Sequence, residues 1–161
     1  MDQHIRQELI GRYREGHRVV VQALEGITTA ELDTRAAPDE WTVREIVHHL
    51  ADSEMTSAIR LRRLLAEEAP VIAGYDEQKF ARRLFYDRPI EASLEALAAA
   101  RRTTADIVER MSAEDWAREG THTEQGRYST EDWLEIYASH AHDHAVQIER
   151  ARAKARDPRP N

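Results

Sequence analysis

The stretch STEDWLEIYASHAHDHAVQIERARAK, residues 129–154, decides how this chain folds. Ser129 or Thr130 offers a hydroxyl to cap a helix start, and Arg150, Arg152, Lys154 and Arg156 gather where the helix would end and complement its dipole. An α-helix turns by about 100° per residue. With His140 at zero, Trp133 falls near ~20°, His144 near ~40°, Tyr137 near ~60° and Ile148 near ~80°. Two imidazoles therefore sit in the middle of an apolar stripe, while His142, about 200° away, is expected to face solvent. The segment predicts a long amphipathic helix with histidines turned into the core.

Working outward, three more segments carry helical periodicity. The first runs from about Asp2 to Leu24, with Ile5, Leu9, Tyr13, Val20 and Leu24 at helical spacing. Gly11 and Gly16 each weaken it by about 1 kcal/mol relative to alanine, so packing must hold it. A short capped turn is expected at Thr28-Thr29-Ala30-Glu31. Thr42 with Glu45 three residues later forms a capping box that opens the second helix, from about Val43 to Glu68. Its stripe holds Ile46, Val47, Leu50, Ala58, Leu61, Leu64 and Leu65, and Pro70 ends it. Residues 71–89 are expected to be irregular, with a short helix around Glu77 to Leu84. Pro89 opens a third helix reaching about Met111, and Gly120 to Tyr128 is expected to form a polar loop. Strand signals are nearly absent. The fold class is all-α, a four-helix bundle in one domain over 1–161, with about 157–161 a disordered tail. The intervals flanking the second helix are long enough for crossovers, so a simple up-down-up-down order is not forced.

Composition removes several functions. The net charge of −7 argues against nucleic acid despite the arginines at 60, 62, 63 and 150–156, because a polyanion needs clustered positive charge. No apolar run approaches the roughly 18 residues of a membrane span. The start, Met1-Asp2-Gln3-His4-Ile5-Arg6, lacks the apolar region of a secretory signal, and the expected location is cytoplasmic. Without cysteine, disulfides, thiolate metal sites and cysteine nucleophiles are excluded.

The chemistry lies in the histidines. His140 and His144, four apart on one helix face, have Cβ atoms about 5–6 Å apart, close enough for both rings to meet one ion. Two imidazoles in a core are costly unless paired; the alternative is a hydrogen bond each to a neighbour such as Tyr137. On the second helix His49 lies about 60° from Ile46, at the stripe's edge, whereas His48, at about 160°, should face solvent and serves as the fallback. Three neutral imidazoles with one open position describe a catalytic rather than a structural site. Glu45 or Asp52 could fix the tautomer of His49, and Gln147 lies on the inward side of the last helix. Glu45-Ile-Val-His48 matches half of a di-iron motif, but the last helix has no partner for it. His142-Asp143 is similar to the paired ligand of HD-type phosphohydrolases, yet it lies on the solvent face. No phosphate loop and no nucleophile elbow is present.

Two segments together carry a family likeness. Trp41-Thr-Val-Arg-Glu-Ile-Val-His-His49-Leu50-Ala-Asp-Ser-Glu54 resembles the second-helix signature of DinB/YfiT-like proteins. Gly126-Arg-Tyr-Ser-Thr-Glu-Asp-Trp-Leu134, running into His140-Ala-His-Asp-His144-Ala-Val-Gln147-Ile148, resembles their last helix. The resemblance implies an up-down-down-up bundle with one divalent metal, zinc or nickel first and iron or manganese next, on His49, His140 and His144. It implies a bacterial protein, often a homodimer, and an enzyme transferring a low-molecular-weight thiol of the bacillithiol or mycothiol kind, or a hydrolase, acting on a small molecule. Gln147, Tyr137 and Glu45 are the candidate catalytic residues. A non-catalytic metal-binding stress-response bundle is the alternative from another class, and a metal-free scaffold the plainest one.

Overall fold

A computed structural model describes residues 1–156; the tail expected at 157–161 lies outside the described residues. Four long helices make the bundle: α1 (Gln3–Leu24), α3 (Val43–Ala66), α5 (Glu91–Val108) and α7 (Thr130–Arg156). Between them lie the single turn α2 (Thr29–Leu32), strand β1 (Val71–Ile72), α4 (Glu77–Arg83), α6 (Ala113–Trp116) and strands β2 (Glu119–His122) and β3 (Gly126–Ser129).

The helix starts follow from local chemistry. Asp2 accepts from the His4 amide at α1, and Thr28 with Glu31 and Thr42 with Glu45 close reciprocal capping boxes at α2 and α3. Of the two hydroxyls expected at α7, Ser129 makes the cap: its Oγ accepts from the Asp132 amide at 3.1 Å, and the Asp132 carboxylate accepts from the Ser129 amide at 2.8 Å.

Side-chain pairings fix the direction of each helix. The Met1 ammonium and Arg6 reach Glu131 at the start of α7, and Arg152 near its end reaches the Ala23 carbonyl, so α1 and α7 run parallel. The Trp133 indole donates to the Ser57 carbonyl at 3.0 Å while His49 meets His140, so α3 opposes α7. His48 meets Ser93 and Arg62 meets Thr104, so α3 and α5 run together. The order is up-down-down-up, and the connection from α3 to its parallel neighbour α5 must return along the whole bundle.

The core has two apolar halves. One contains Tyr13, Leu61, Leu64, Val108, Trp133 and Leu134; the other contains Val20, Val47, Leu50, Leu97, Ala141 and Ile148. Between them runs a buried polar layer of Glu54, Ser57 and Arg101, at 1%, 0% and 2% exposure. Arg101 comes so close to α1 that a Cβ at position 16 would lie 2.5 Å from the guanidinium carbon. Gly16 is therefore the residue that lets α1 close over Arg101, not merely a weak point in the helix. Ile5, placed on the first stripe by its spacing, is 49% exposed, and Ile10 is buried instead.

The 120–128 region corrects the expectation of a polar loop. It forms an antiparallel hairpin, Glu119 opposite Ser129 and His122 opposite Gly126, turned at Gly126 with φ +78°. Strand β1 adds in parallel, pairing Val71 with Thr121 and Ile72 with His122. Ile72, His122 and Tyr128 are buried beneath this small sheet. The strands are too short for an alternating pattern to stand out from a loop.

Gly16→Ala should destabilise the protein by about 1–3 kcal/mol, since the guanidinium has three bonds to lose if it moves. Gly11→Ala, with nothing within 4 Å of the new methyl, should stabilise it by up to about 1 kcal/mol. Urea unfolding of the two variants checks the contrast, and equal effects would show that the close approach is unimportant.

Candidate metal centre

Helices α3 and α7 lie side by side in opposite directions, and His49 from the second turn of α3 faces His140 and His144 from the middle of α7. The His49 Nε2 is 3.2 Å from the His140 Nε2. Ring centroids are 5.2 Å apart for His49 and His140, 4.9 Å for His49 and His144, and 4.6 Å for His140 and His144. One nitrogen from each ring falls within 4.8 Å of the other two.

The electrostatics of this cluster are those of neutral imidazoles. Burial, with the neighbouring rings adding to it, pushes the His49 pKa down to about 2. Burial, then His144 and then Arg101, pushes His140 down to about 3, and burial lowers His144 as well. At neutral pH each ring keeps one nitrogen lone pair. On His144 the free one is fixed: Nδ1–H donates to the Gln147 Oε1 at 2.8 Å, which leaves Nε2 as the acceptor. Gln147 in turn donates to Glu40 at 3.3 Å, and Arg150 donates to the same carboxylate at 2.8 Å. A chain of three side chains thus holds one ring.

This donor set fits a divalent cation. Two neutral Nε2 lone pairs 3.2 Å apart repel unless a proton or a cation lies between them. Ligands at about 2.0–2.1 Å in a tetrahedral shell sit roughly 3.3 Å from one another. The second nitrogen of His49, Nδ1, is buried without a hydrogen-bond partner among the described residues. Trp41, in the turn before α3, closes the outer side, with its ring 4.4 Å from His49 and nearly parallel to His144 at 6.4 Å.

The remaining candidates are placed differently. Tyr137 presents its edge to the His140 ring at 5.9 Å, and its hydroxyl accepts from Arg60 at 3.1 Å rather than from a histidine. The Glu45 carboxylate is held by the Thr42 amide at 2.7 Å in the capping box, and Arg35 stands 3.6 Å away. Asp52 accepts from the Tyr86 hydroxyl at 2.6 Å. Neither carboxylate is hydrogen-bonded to His49. His142 bonds the Arg12 carbonyl on the far side of α7.

His48 overturns its expected exposure. It is fully buried, with Nδ1 2.8 Å from the Ser93 hydroxyl and Nε2 3.0 Å from the Arg88 carbonyl. The reason is that α3 is covered on two flanks, by α7 and by α5 with its preceding loop. Both ring nitrogens are engaged, which separates His48 from its neighbour in the cluster.

A cavity of about 180 Å³ opens at His140, walled by Ser53, Arg60, Tyr75, Tyr128 and Tyr137 among others. Of these, Tyr137 is a candidate that the sequence offered; the spacing of the histidines did not point to the rest. Arg60 could have been noticed, because it falls only about 40° from Ile46 on the α3 stripe, where a charge is out of place.

The sequence pattern of the DinB superfamily matches residues 12–148. This chain belongs to that superfamily. A relative from Oceanobacillus iheyensis, named "Putative metal-dependent hydrolase OB0782", is 35% identical over 141 residues, which are 88% of this chain and 82% of that protein. A Bacillus cereus protein named "Putative metal-dependent hydrolase" is 30% identical over 129 residues, 80% of this chain and 75% of its own. Among solved structures, YfiT from Bacillus subtilis, described as "a probable metal-dependent hydrolase with an unusual four-helix bundle topology", matches with a TM-score of 0.86. It is 29% identical, and the match covers 92% of this chain and 86% of that one. The up-down-down-up bundle is thus shared with a superfamily relative. No helix among the described residues is long and apolar enough to cross a membrane.

The parent chain should purify with one divalent ion, and His49→Ala, His140→Ala and His144→Ala should each purify without it, as read by elemental analysis. Gln147→Ala should retain the ion with an affinity lowered about 10–100-fold, since it frees the ring but removes no ligand. Full metal retention in the three alanine variants would remove the cluster from consideration.

Proposed function

We propose that this chain is a metal-dependent hydrolase of a small molecule, with the ion on His49, His140 and His144. The observation that carries the reading is the convergence of three neutral imidazoles, His49 buried and His140 and His144 half-buried, beside a cavity that opens at one of them. A non-catalytic metal site has no need of that opening; a structural ion is enclosed by protein ligands on all sides. Three imidazoles without a thiolate suit zinc or nickel, with iron or manganese as further candidates. When bound, such an ion supplies Lewis acidity that lowers the pKa of water and polarises a substrate oxygen.

The protein's own groups prepare that chemistry. His144 is kept in one tautomer by Gln147, which makes Gln147 a positioning residue. The Tyr137 hydroxyl, which accepts from Arg60 and is flanked by Ser53, stays protonated because burial raises its pKa. We assign it to donate to the oxygen on which negative charge develops as water adds. In that reaction the water oxygen bonds to the electrophilic carbon and the bond to the leaving group breaks. One water proton ends on the leaving group. Glu45 is assigned to holding the turn that presses Trp41 against His49, because its carboxylate is already committed to the cap.

The thiol-transfer reading uses the same three ligands, but the relatives' names favour hydrolysis. The proposal further includes a cytoplasmic location, in keeping with a chain without cysteine, and a homodimer, resting on the superfamily likeness.

Hydrolysis of an activated ester by the purified chain should fall at least about 100-fold on chelation and return with added zinc or nickel. His49→Ala should match the chelated protein, and Tyr137→Phe should lower kcat by about 10²-fold with little change in KM. Turnover indifferent to chelation would overturn the reading. Turnover only in the presence of a low-molecular-weight thiol would replace it with transfer.

A further inference from the structure

The cavity at His140 has a chemical character of its own. Three of its lining side chains carry buried donors that close no well-formed hydrogen bond among the described residues: Arg60 Nε, the Tyr75 hydroxyl, which Ser53 flanks, and the Tyr128 hydroxyl, which Arg60 flanks. Buried donors are ordinarily satisfied, and three around one space call for an acceptor in it. The Arg60 guanidinium is held by its other nitrogens, which donate to the Tyr137 hydroxyl at 3.1 Å and the Ala73 carbonyl at 2.8 Å. It also lies 5.8 Å from the centre of the Tyr75 ring. Its Nε edge is thus fixed in place, beside the Tyr128 hydroxyl and without a well-formed hydrogen bond. Both tyrosines remain donors at neutral pH, since burial raises Tyr75 to about 12 and raises Tyr128 further.

We propose that this cavity is a carboxylate-binding pocket, and that the protein acts on a small organic acid held by Arg60, Tyr75 and Tyr128. The inference deepens the hydrolase reading, on which it rests for where the reacting bond lies. Three converging donors, one of them cationic, match the acceptor lone pairs of a carboxylate. Arg60 is the only cationic side chain in the lining, and two exposed carboxylates, Glu77 and Glu124, stand in the same wall. That balance accommodates one negative charge and disfavours two, which selects a carboxylate over a phosphate. A volume of about 180 Å³ limits the acid to a few carbon atoms. His140 lies in the same lining, so an acid anchored on Arg60 turns its remaining atoms toward the three histidines.

The test is a titration of the zinc-loaded full-length chain with propionate, and separately with inorganic phosphate, followed by NMR at the arginine Nε–H groups. The Arg60 signal is assigned by its loss in Arg60→Lys. Propionate should shift that signal, Tyr75→Phe and Tyr128→Phe should each weaken its binding at least about fivefold, and phosphate should bind at least about tenfold more weakly. The same shift after chelation would show that the carboxylate sits on the protein and not on the ion. An unmoved Arg60 signal, unchanged affinity in both phenylalanine variants, or phosphate binding as tightly as propionate would overturn the proposal. If propionate binds at Arg60 while no ester is hydrolysed, the hydrolase reading falls and the pocket stands. If metal-dependent hydrolysis proceeds while the Arg60 signal stays unmoved, the pocket alone falls.

Discussion

One guanidinium joins all four long helices. From its place on α5, Arg101 donates to the Tyr13 carbonyl on α1 at 2.6 Å, to Glu54 on α3 at 2.5 Å and to the Tyr137 carbonyl on α7 at 2.7 Å. Its face lies 4.2 Å from the centre of the Tyr13 ring, and the Tyr13 hydroxyl donates to the same Glu54. A buried ion pair of this kind adds little net stability over a well-packed apolar layer. Removing one partner is different, because the survivor is left charged and unpaired at a cost of about 3–5 kcal/mol. The pair therefore acts mainly on specificity: slide α3 against α5 by one turn and two buried charges lose each other.

That registration matters to the metal centre. Arg101 grips the Tyr137 carbonyl, one turn before His140, and Glu54 lies between His49 and Ser57 on α3. The polar layer thereby sets the axial position of α3 against α7, and it is this axial position that brings His49 level with His140. The same positive charge helps to keep His140 neutral, after burial and His144. A structural cation thus contributes to the protonation state that leaves a ring lone pair available for a ligand.

The helices and the histidine cluster were legible in the sequence because each rests on local periodicity. Thr42 with Glu45 announced α3, and the angular spacing of Trp133, Tyr137, His140, His144 and Ile148 announced an inward face on α7. His48 was misplaced because a single stripe was assumed for a helix that is covered on two flanks. The polar layer went unread for a related reason. Glu54 and Arg101 both fall within apolar stripes, where a charge implies an opposite charge elsewhere, but one sequence does not say which residue answers it. The sheet was missed because strands of two and four residues join positions about fifty apart, and nothing local records that pairing.

The division between legible and illegible parts follows a division of labour. The rings that could hold a metal sit on α3 and α7, packed elements with little freedom to drift. The cavity beside them is walled partly by what the connections contribute: Tyr75 and Glu77 come from the return between α3 and α5, and His122, Glu124 and Tyr128 come from the hairpin before α7. The up-down-down-up order makes the first of these long, since α5 runs parallel to α3 and can be reached only by traversing the bundle, whereas the second joins antiparallel helices. Length that the topology demands is thus available for recognition. A relative could keep the three histidines and the Arg101 layer unchanged and acquire a different substrate by rebuilding only residues 67–90 and 117–129, so likeness at the metal centre constrains the reaction type far more tightly than the molecule it acts on.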